Sequence, residues 1–385
     1  MSSQRVRLAY LFPRLEWCGP LKGILATIKN LPPHRYQPFL ITLSPPKHPD
    51  VLAACRDLGC THIQLTQRSF LDLRLARQLA NLIRQQDIAI LHTSVLRPDW
   101  HGALARRINQ DFVLVSTLRA EDDKLLLRNR GLTRFLIAHT INLILFRRFD
   151  HVVALSNSTR SYARRLLVPS SKITLIRNAV DTEPFLHIDR QEAKTRILAD
   201  FQLPPSTTLV GMIATFWPYK DHHSFFALAD SFRKDTSIVF LDVGDGPQLN
   251  AFRQKAASAA LSSLLYPGFL SPITTIQGAL DVHVFLSHTE GLPRAVMESM
   301  AAGTPVLAWD SPGVGECIRH METGILVPKG DLGLLRKRLR ELLASPELRT
   351  HLTRNARRAV LREYSASRMA VEHHQLYTKL LQAKR

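Results

Sequence analysis

The sequence predicts an α/β protein built as two successive domains, each around a parallel sheet. Two observations carry this. Short apolar, β-rich runs alternate with helical stretches along the whole chain, the pattern of strands joined by crossover helices. The pattern also starts afresh. An interval from Asn178 to Pro205, rich in Pro, Asp and Glu, separates one strand–helix series from a second that opens at Leu209. At 385 residues the chain is long enough for two separate cores.

In the first series the strands are expected at Val6–Phe12, Pro38–Leu43, His62–Leu65, Ala89–His92, Val113–Leu118 and Val152–Leu155, with Ile173–Ile176 as a last one. Helices fall between them, for example at Leu71–Gln85 and Asp99–Ile108. The second series has strands at Leu209–Ala214, Ile238–Val243, Leu264–Tyr266, Val282–Ser287 and Pro305–Trp309. A helical, basic tail runs from Leu332, with a break at Ser345-Pro346. The expected domains are 1–181 and 206–365, with 182–205 as the connection and 366–385 as a final helix.

Composition narrows the class. Hydrophobic content of 45% and charged content of 22% fit a globular chain, not a disordered one. Cys18, Cys55, Cys60 and Cys317 are scattered and form no Cys-x-x-Cys pair, so neither a zinc site nor a disulfide framework is expected. Reduced thiols in a reducing compartment fit. The opening MSSQRVRLAYLF reads as a first buried strand, being too short and too abruptly polar afterwards for a signal peptide.

The net charge of +19 is unevenly placed. Through Asp181 there are 27 Lys and Arg against 12 Asp and Glu; from Thr182 onward there are 24 against 20. A basic half joined to a near-neutral half points to one domain meeting an anionic surface: a membrane leaflet, a phosphorylated lipid or a nucleic acid. Specific nucleic-acid binding is not expected, because no reading motif occurs and aromatics do not interleave with the basic residues. No segment reaches the ~20 apolar residues that span a bilayer. The nearest is Leu132–Phe146, broken by Arg134, His139 and Asn142 and bracketed by Arg128, Arg130, Arg147 and Arg148. Two readings of it stay open: a core helix with solvated ends, or an interfacial helix resting on anionic lipid.

The densest chemistry lies in HTEGLPRAVMESMAAGTPVLAWDSPGVGECI, from His288 to Ile318. Glu290 and Glu298 are separated by seven residues and open on a Gly291-Leu292-Pro293 turn. The first falls in a loop after a strand, the second in the helix that the loop opens. Ligands of α/β sheets bind at the carboxyl ends of strands, against helix N-termini. SPGVGECI offers Gly313, Val314 and Gly315 ahead of an expected helix start, where backbone N–H groups can cradle phosphate oxygens. VGDGP, with Gly244 and Gly246, is a second turn after a strand. It is not a Gly-x-Gly-x-x-Gly fingerprint, which argues against a dehydrogenase.

The Glu pair, taken with Gly291, Leu292, Pro293, Ala301, Gly303, Pro305, Val306, Gly313 and Glu316, resembles the retaining family 4 glycosyltransferases. The resemblance covers nearly the whole chain and is dense from Leu209 to Asp331. It implies a GT-B fold, two Rossmann-like domains with a cleft between them, in which the last helix crosses back to the first domain. It also implies transfer of a sugar from a nucleotide-sugar donor to a glycan or lipid-linked acceptor. Glu298 would take the vicinal ribose hydroxyls. Glu290 would hold the transferred sugar and stabilise an oxocarbenium-like transition state. Lys220 would neutralise the departing diphosphate, where fixed cations act best. Gly291, Leu292, Pro293, Arg294, Thr215, Gly313, Val314 and Gly244 complete the donor side by this resemblance; Gly19, His92 and Arg119 stand on the acceptor or cleft side. STLRAEDD, NRGLTRFLIAH and FDHVVALSNS look most like the branch that builds capsule, exopolysaccharide or lipopolysaccharide. The resemblance and the basic first half lead to the expectation of a cytoplasmic protein, with peripheral contact at the inner face of the plasma membrane left open as one of its two readings.

The chain departs from the family at three places. Thr215 stands where an arginine usually precedes the lysine by five residues, with Arg294 and Arg319 the nearest cations in sequence to the motif. Arg119 stands near a usual histidine, and Gly19-Pro20 replaces a Gly-Gly pair. These leave an alternative: a nucleotide-sugar-binding protein with reduced or lost catalysis. No Asp-x-Asp motif occurs; Asp122-Asp123 are adjacent, and His222-His223 and His373-His374 read as surface pairs without companion ligands. No metal or other cofactor is expected. Asp181 reads as a hinge residue.

Overall fold

The computed structural model describes residues 5–47, 49–67, 72–119 and 132–384. It divides into two compact units, Met1–Ala179 with Ala366–Arg385, and Val180–Ser365.

The first unit is a seven-stranded sheet of β1 (Val6–Phe12), β2 (Tyr36–Thr42), β3 (Thr61–Gln64), β4 (Ile90–Ser94), β5 (Val113–Leu118), β6 (His151–Ala154) and β7 (Ile173–Leu175). Their order is β3-β2-β1-β4-β5-β6-β7 and every pairing is parallel. In β1, Leu8 and Tyr10 face one layer while Ala9 and Leu11 face the other, and all four are buried. Alternation places side chains on opposite faces, and a parallel sheet covered by helices on both needs both sets apolar. One layer holds the Gly19–Asn30 helix and the C-terminal Ala366–Lys384 helix, which brings Met369, Ala370, Leu376 and Tyr377 into the core around Leu8 and Leu40. The other holds Leu75, Leu79 and Ile83 of the Leu73–Gln85 helix, capped by the Asp72 carboxylate.

The Leu132–Phe146 helix divides its residues between two environments. Asn142, Leu145 and Phe146 are buried, whereas Leu136 and Ile144 are 52% and 58% exposed. Arg147 and Arg148 follow, both exposed. Arg128 and Arg130 lie outside the described residues, as does Asp122-Asp123.

The second unit repeats the plan with β8 (Thr208–Ile213), β9 (Ile238–Val243), β10 (Leu264–Gly268), β11 (Val282–Phe285), β12 (Val306–Asp310) and β13 (Ile325–Pro328), in the order β10-β9-β8-β11-β12-β13. In each sheet the order reverses at one point, between β1 and β4 and between β8 and β11. Strand order of this kind opens a crevice at the carboxyl ends of the strands on either side of the reversal.

Two elements differ from the sequence expectation. β13 is an extra edge strand, paired Leu307↔Ile325 onto β12; a four-residue run between Gly324 and Gly330 gives no period to read. Residues 182–205 are more than a connection. They form the Glu183–Leu186 turn and the Arg190–Asp200 helix, capped by Asp189. Ala193, Ile197 and Leu198 of that helix are buried with Leu209, Leu241 and Leu280 of the second unit. Only these few apolar positions mark its inner face, so its charged composition disguises it.

Candidate functional site

At the reversal point of the second unit the loops after β8, β11 and β12 converge. The first, Ala214–Lys220, follows β8 and ends at the His222–Asp230 helix. It is held down by the turn after β9: the N–H of Phe216 donates to Asp245 O at 3.0 Å, and that of Gln248 to Phe216 O at 3.3 Å. Gly244 and Gly246 are required here. A Cβ on Gly244 would lie 1.9 Å from Ala214 O, and one on Gly246 would lie 2.7 Å from Phe216 N. The glycine pair therefore shapes the lysine loop.

The second loop carries Glu290. The His288 N–H donates to Tyr219 O at 2.8 Å, and the Glu290 N–H to Pro312 O at 3.0 Å. Glu290 and Lys220 form an ion pair, their side chains 15% and 12% exposed. Burial opposes the Lys220 ammonium, but Glu290 and Tyr219 outweigh it and hold the group above its usual value. The ammonium also lies 5.1 Å from the Tyr219 ring centre and 5.3 Å from that of Phe285.

Gly291, Leu292 and Pro293 are buried, and Pro293 caps the Arg294–Ala302 helix. Glu298, one turn in and 6% exposed, faces Arg294 at 3.5 Å. Burial lowers the Arg294 pKa, opposed by Glu298 and then by Asp181. Asp181, read from the sequence as a hinge residue, thus contributes to the field at Arg294. The helix ends at Gly303 with φ +74°, a left-handed position suited to glycine.

The third loop runs Ser311–Ile318. Gly313 has φ +79°, and a Cβ there would lie 2.3 Å from Glu290 O. This residue is what lets the loop press onto the Glu290 backbone. The expected helix start is absent: these residues form consecutive turns. The N–H groups of Val314 and Gly315 both donate to Ser311 O, at 3.0 and 2.9 Å. They close the turn on itself, and the Val314 side chain is fully buried.

Thr215 is exposed on the lysine loop, and its carbonyl points inward to His222 Nε2 at 3.1 Å. Of the two other cations, Arg319 is committed elsewhere, to Glu322 at 3.0 Å and Glu363 at 3.3 Å. Arg294 is the one inside the motif. The sequence reading passed over several residues that stitch these loops together. Asp221, at φ +59°, accepts from Trp309 Nε1 at 3.2 Å and from Ser224 Oγ at 2.7 Å. His222, read as a surface residue, is 1% exposed and paired to Asp242. Its neighbouring Phe216 and Phe225 made an apolar context that could have signalled this.

The first unit has a site of different character at its own reversal point. Tyr10, His92, Ser94, Arg119, Asn178 and His373 line a cavity of about 20 Å³, room for about one water. His92 is buried and held on both sides, Nδ1 against Tyr377 OH and Nε2 against Thr117 Oγ1, each at 2.6 Å. Burial, then His373, drives its pKa well below the usual value. His373 is likewise buried, its Nδ1–H donating to Met369 O at 2.8 Å, and burial lowers it to about 4. The expected surface pair is therefore a core residue beside His374, which bonds the Tyr36 hydroxyl at 2.9 Å. Arg119 Nε donates to Ser94 Oγ at 2.5 Å. Val95, next in line, has φ +70°, unusual for a β-branched residue and of the kind stored at functional loops. Gly19 only starts its helix; Gly23 and Thr27, further along, reach the cavity wall. Among the described residues no three His, Cys, Asp or Glu side chains converge as metal ligands would.

Comparison with known proteins gives the family and the fold. Residues 193–359 match the family described as Glycosyl transferases group 1, and residues 22–184 match Glycosyltransferase Family 4. An O-antigen biosynthesis glycosyltransferase, WclY, from Escherichia coli is 23% identical across 97% of this chain and 99% of its own length. A UDP-Gal:α-D-GlcNAc-diphosphoundecaprenol α-1,3-galactosyltransferase of E. coli is 26% identical over 71% of this chain and 70% of that one. A 2-deoxystreptamine N-acetyl-D-glucosaminyltransferase of Streptomyces fradiae is 27% identical over 60% of this chain, and the match spans 56% of that protein's length. The solved structure of Anabaena Alr3699/HepE with UDP-glucose superposes with a TM-score of 0.82 at 16% identity, covering 97% of this chain and 100% of that one.

Proposed function

This chain belongs to glycosyltransferase family 4 and has the GT-B fold, and from that premise we propose that it is a retaining, metal-independent hexosyltransferase using a nucleotide-sugar donor. The carrying observation is the convergence of Lys220 with Glu290 and of Arg294 with Glu298 at the carboxyl ends of β8 and β11. The Glu298 carboxylate takes the ribose hydroxyls of the donor, having two oxygens to accept both. Lys220 meets the diphosphate, whose charge grows as the sugar–phosphate bond breaks. Glu290, freed from Lys220, holds a sugar hydroxyl and faces the developing oxocarbenium charge. Gly291, Leu292, Pro293 and Gly313 set the loop backbones around these groups. No cofactor is needed, since Lys220 and Arg294 supply the fixed positive charge.

The first unit takes the acceptor, a glycan or lipid-linked glycan of surface polysaccharide synthesis. Support comes from relatives whose names state O-antigen biosynthesis and a diphosphoundecaprenol acceptor. The same basic unit rests on anionic lipid at the inner face of the plasma membrane, with exposed Leu136, Ile144, Arg147 and Arg148 on or beside one helix. Among the described residues no helix is long and apolar enough to cross a membrane.

Donor hydrolysis across a panel of nucleotide sugars, read by mass spectrometry, tests the reading. One donor should turn over, and Glu298→Ala should abolish it. Nucleotide binding without turnover on any donor, even with lipid-linked acceptors added, would favour a binding protein instead. Co-sedimentation with phosphatidylglycerol vesicles, lost with phosphatidylcholine, checks the membrane contact.

A further inference from the structure

Beneath the Ala214–Lys220 loop lies a histidine–carboxylate pair whose side chains are both 0% exposed. His222 Nδ1 sits 2.8 and 3.0 Å from the two oxygens of Asp242, which stands on β9. His222 Nε2 sits 3.1 Å from the Thr215 carbonyl oxygen. A carbonyl only accepts, so Nε2 carries a hydrogen and donates it to the backbone. The ring is clamped by Phe216, stacked 3.9 Å away at 10°.

Burying such a pair is costly, and an apolar pair of similar volume commonly stabilises a core as well or better. Core stability therefore does not explain it, whereas its position does. The Thr215 oxygen that His222 holds also accepts the Trp217 N–H at 2.8 Å, and the Trp217 oxygen accepts the Lys220 N–H at 2.9 Å. Three hydrogen bonds thus run from His222, itself held by Asp242, through the loop backbone to the lysine. Burial pushes the Asp242 carboxyl up, with His222 acting in the opposite direction.

We propose that His222 and Asp242 are positioning residues for the donor: the pair fixes the Thr215 peptide plane and so sets where Lys220 presents its charge to a nucleoside diphosphate. The inference rests on the donor-site reading given above. It predicts that the bond to Thr215, more than the bond to Asp242, governs nucleotide affinity.

Two substitutions separate the bonds. In His222→Gln the side-chain amide nitrogen reaches the place of Nε2 and can still donate to Thr215. In His222→Asn it occupies the place of Nδ1 and reaches only Asp242. UDP, GDP and ADP are titrated calorimetrically into the full chain, with thermal midpoints recorded alongside. For whichever nucleotide binds the wild type, His222→Asn should weaken binding tenfold or more and His222→Gln less than threefold. Equal binding by both variants and wild type, or an equal loss in both that follows their thermal midpoints, would overturn the proposal. If His222→Asn does not fold, the wild type still decides by NMR of nitrogen-labelled histidine. The His222 Nε2–H should exchange slowly and shift on nucleotide addition; a rapidly exchanging or unresponsive proton counts against the idea. Failure of all three nucleotides to bind the wild type would bring down the donor-site reading, and this inference with it.

Discussion

The two reversal points of the molecule have the same strand order and opposite chemistry. In the second unit the site residues are charged groups in pairs, Lys220 with Glu290 and Arg294 with Glu298, beside the hydrogen-bonded pair of His222 with Asp242. In the first, buried hydroxyls and imidazoles form a chain, Tyr10–Tyr377–His92–Thr117, with the Arg119 guanidinium bonded to a serine beside it. The difference follows from what each unit is proposed to receive. A leaving diphosphate gains charge during reaction and needs fixed ions around it. An acceptor hydroxyl needs a shaped, hydrogen-bonding wall and little charge.

Exchanging charged for neutral groups on the two sides should break that comparison most sharply. Lys220→Ala should lower donor turnover about 100- to 1000-fold, the usual consequence of removing one transition-state charge partner. Thr117→Val, its neutral counterpart in the first unit, should lower turnover less than about tenfold. Its larger effect is on stability, about 1–3 kcal/mol, because His92 Nε2 is left without its partner. Steady-state kinetics with thermal denaturation of each variant checks both. Gly313→Ala comes next. Its Cβ would strike the Glu290 carbonyl at 2.3 Å, so the Glu290 loop must shift. A displacement of about 1 Å commonly costs about 100-fold in rate. The readout is kcat/KM, with the thermal midpoint recorded alongside to separate the rate effect from the strain of an alanine at φ +79°.

The same contrast explains what the sequence disclosed. Both parallel sheets were legible from their apolar runs, and the stretch from Glu290 to Gly313, proposed above as the donor side, stood out in the sequence because it resembles a family motif of fixed residue types at fixed spacing. β13 was not, being a four-residue edge strand between glycines. The Arg190–Asp200 helix was hidden by its charges, because it buries only Ala193, Ile197 and Leu198. The Gly313–Gly315 loop looked like a phosphate cradle, yet Ser311 O takes two of its amides. Carbonyl direction is a property of backbone torsion, and a residue string does not carry it. His222 and His373 looked like surface residues because doubled histidines are polar by composition. Each instead has a buried partner far along the chain, Asp242 in one case and the His92 cluster in the other.

Acid should separate the two units by a smaller margin. His92, His101, His151 and His373 in the first unit, and His283 in the second, are buried and have lowered pKa values. Burial pulls His373 to about 4 and His283 to about 3. Unfolded histidine titrates near 6.5, so between that value and the folded one the unfolded state binds more protons. Stability is then full above about pH 6.5 and falls as pH drops. At pH 5 the loss for a fully buried histidine such as His373 is about 2 kcal/mol. With four such groups against one, the first unit should open first. Amide hydrogen exchange at pH 7.5 and pH 5 should show protection lost around β4, β5 and the C-terminal helix before it is lost around β11. Equal loss in both units would mean that these histidines are not what limits acid stability.

The smallest expected effect bears on the one cation the second unit lacks. Thr215 is exposed on a loop whose backbone is fixed by Gly244, Gly246 and His222. An arginine there would add charge beside Lys220 without disturbing the loop, since the side chain points to solvent. An exposed charge contact is worth about 0.2–1 kcal/mol and is screened by salt. Thr215→Arg should therefore tighten UDP binding about two- to fivefold at low ionic strength and by less at 0.5 M salt. Arg119→Thr, the reverse exchange in the first unit, should leave UDP affinity unchanged while altering acceptor use. If Thr215→Arg has no effect or weakens binding, the diphosphate does not come within reach of residue 215, and Lys220 with Arg294 already supplies all the positive charge the donor meets. If Arg119→Thr weakens UDP binding as much as Lys220→Ala does, the division into an ion-paired donor site and a hydroxyl-and-imidazole acceptor site is wrong.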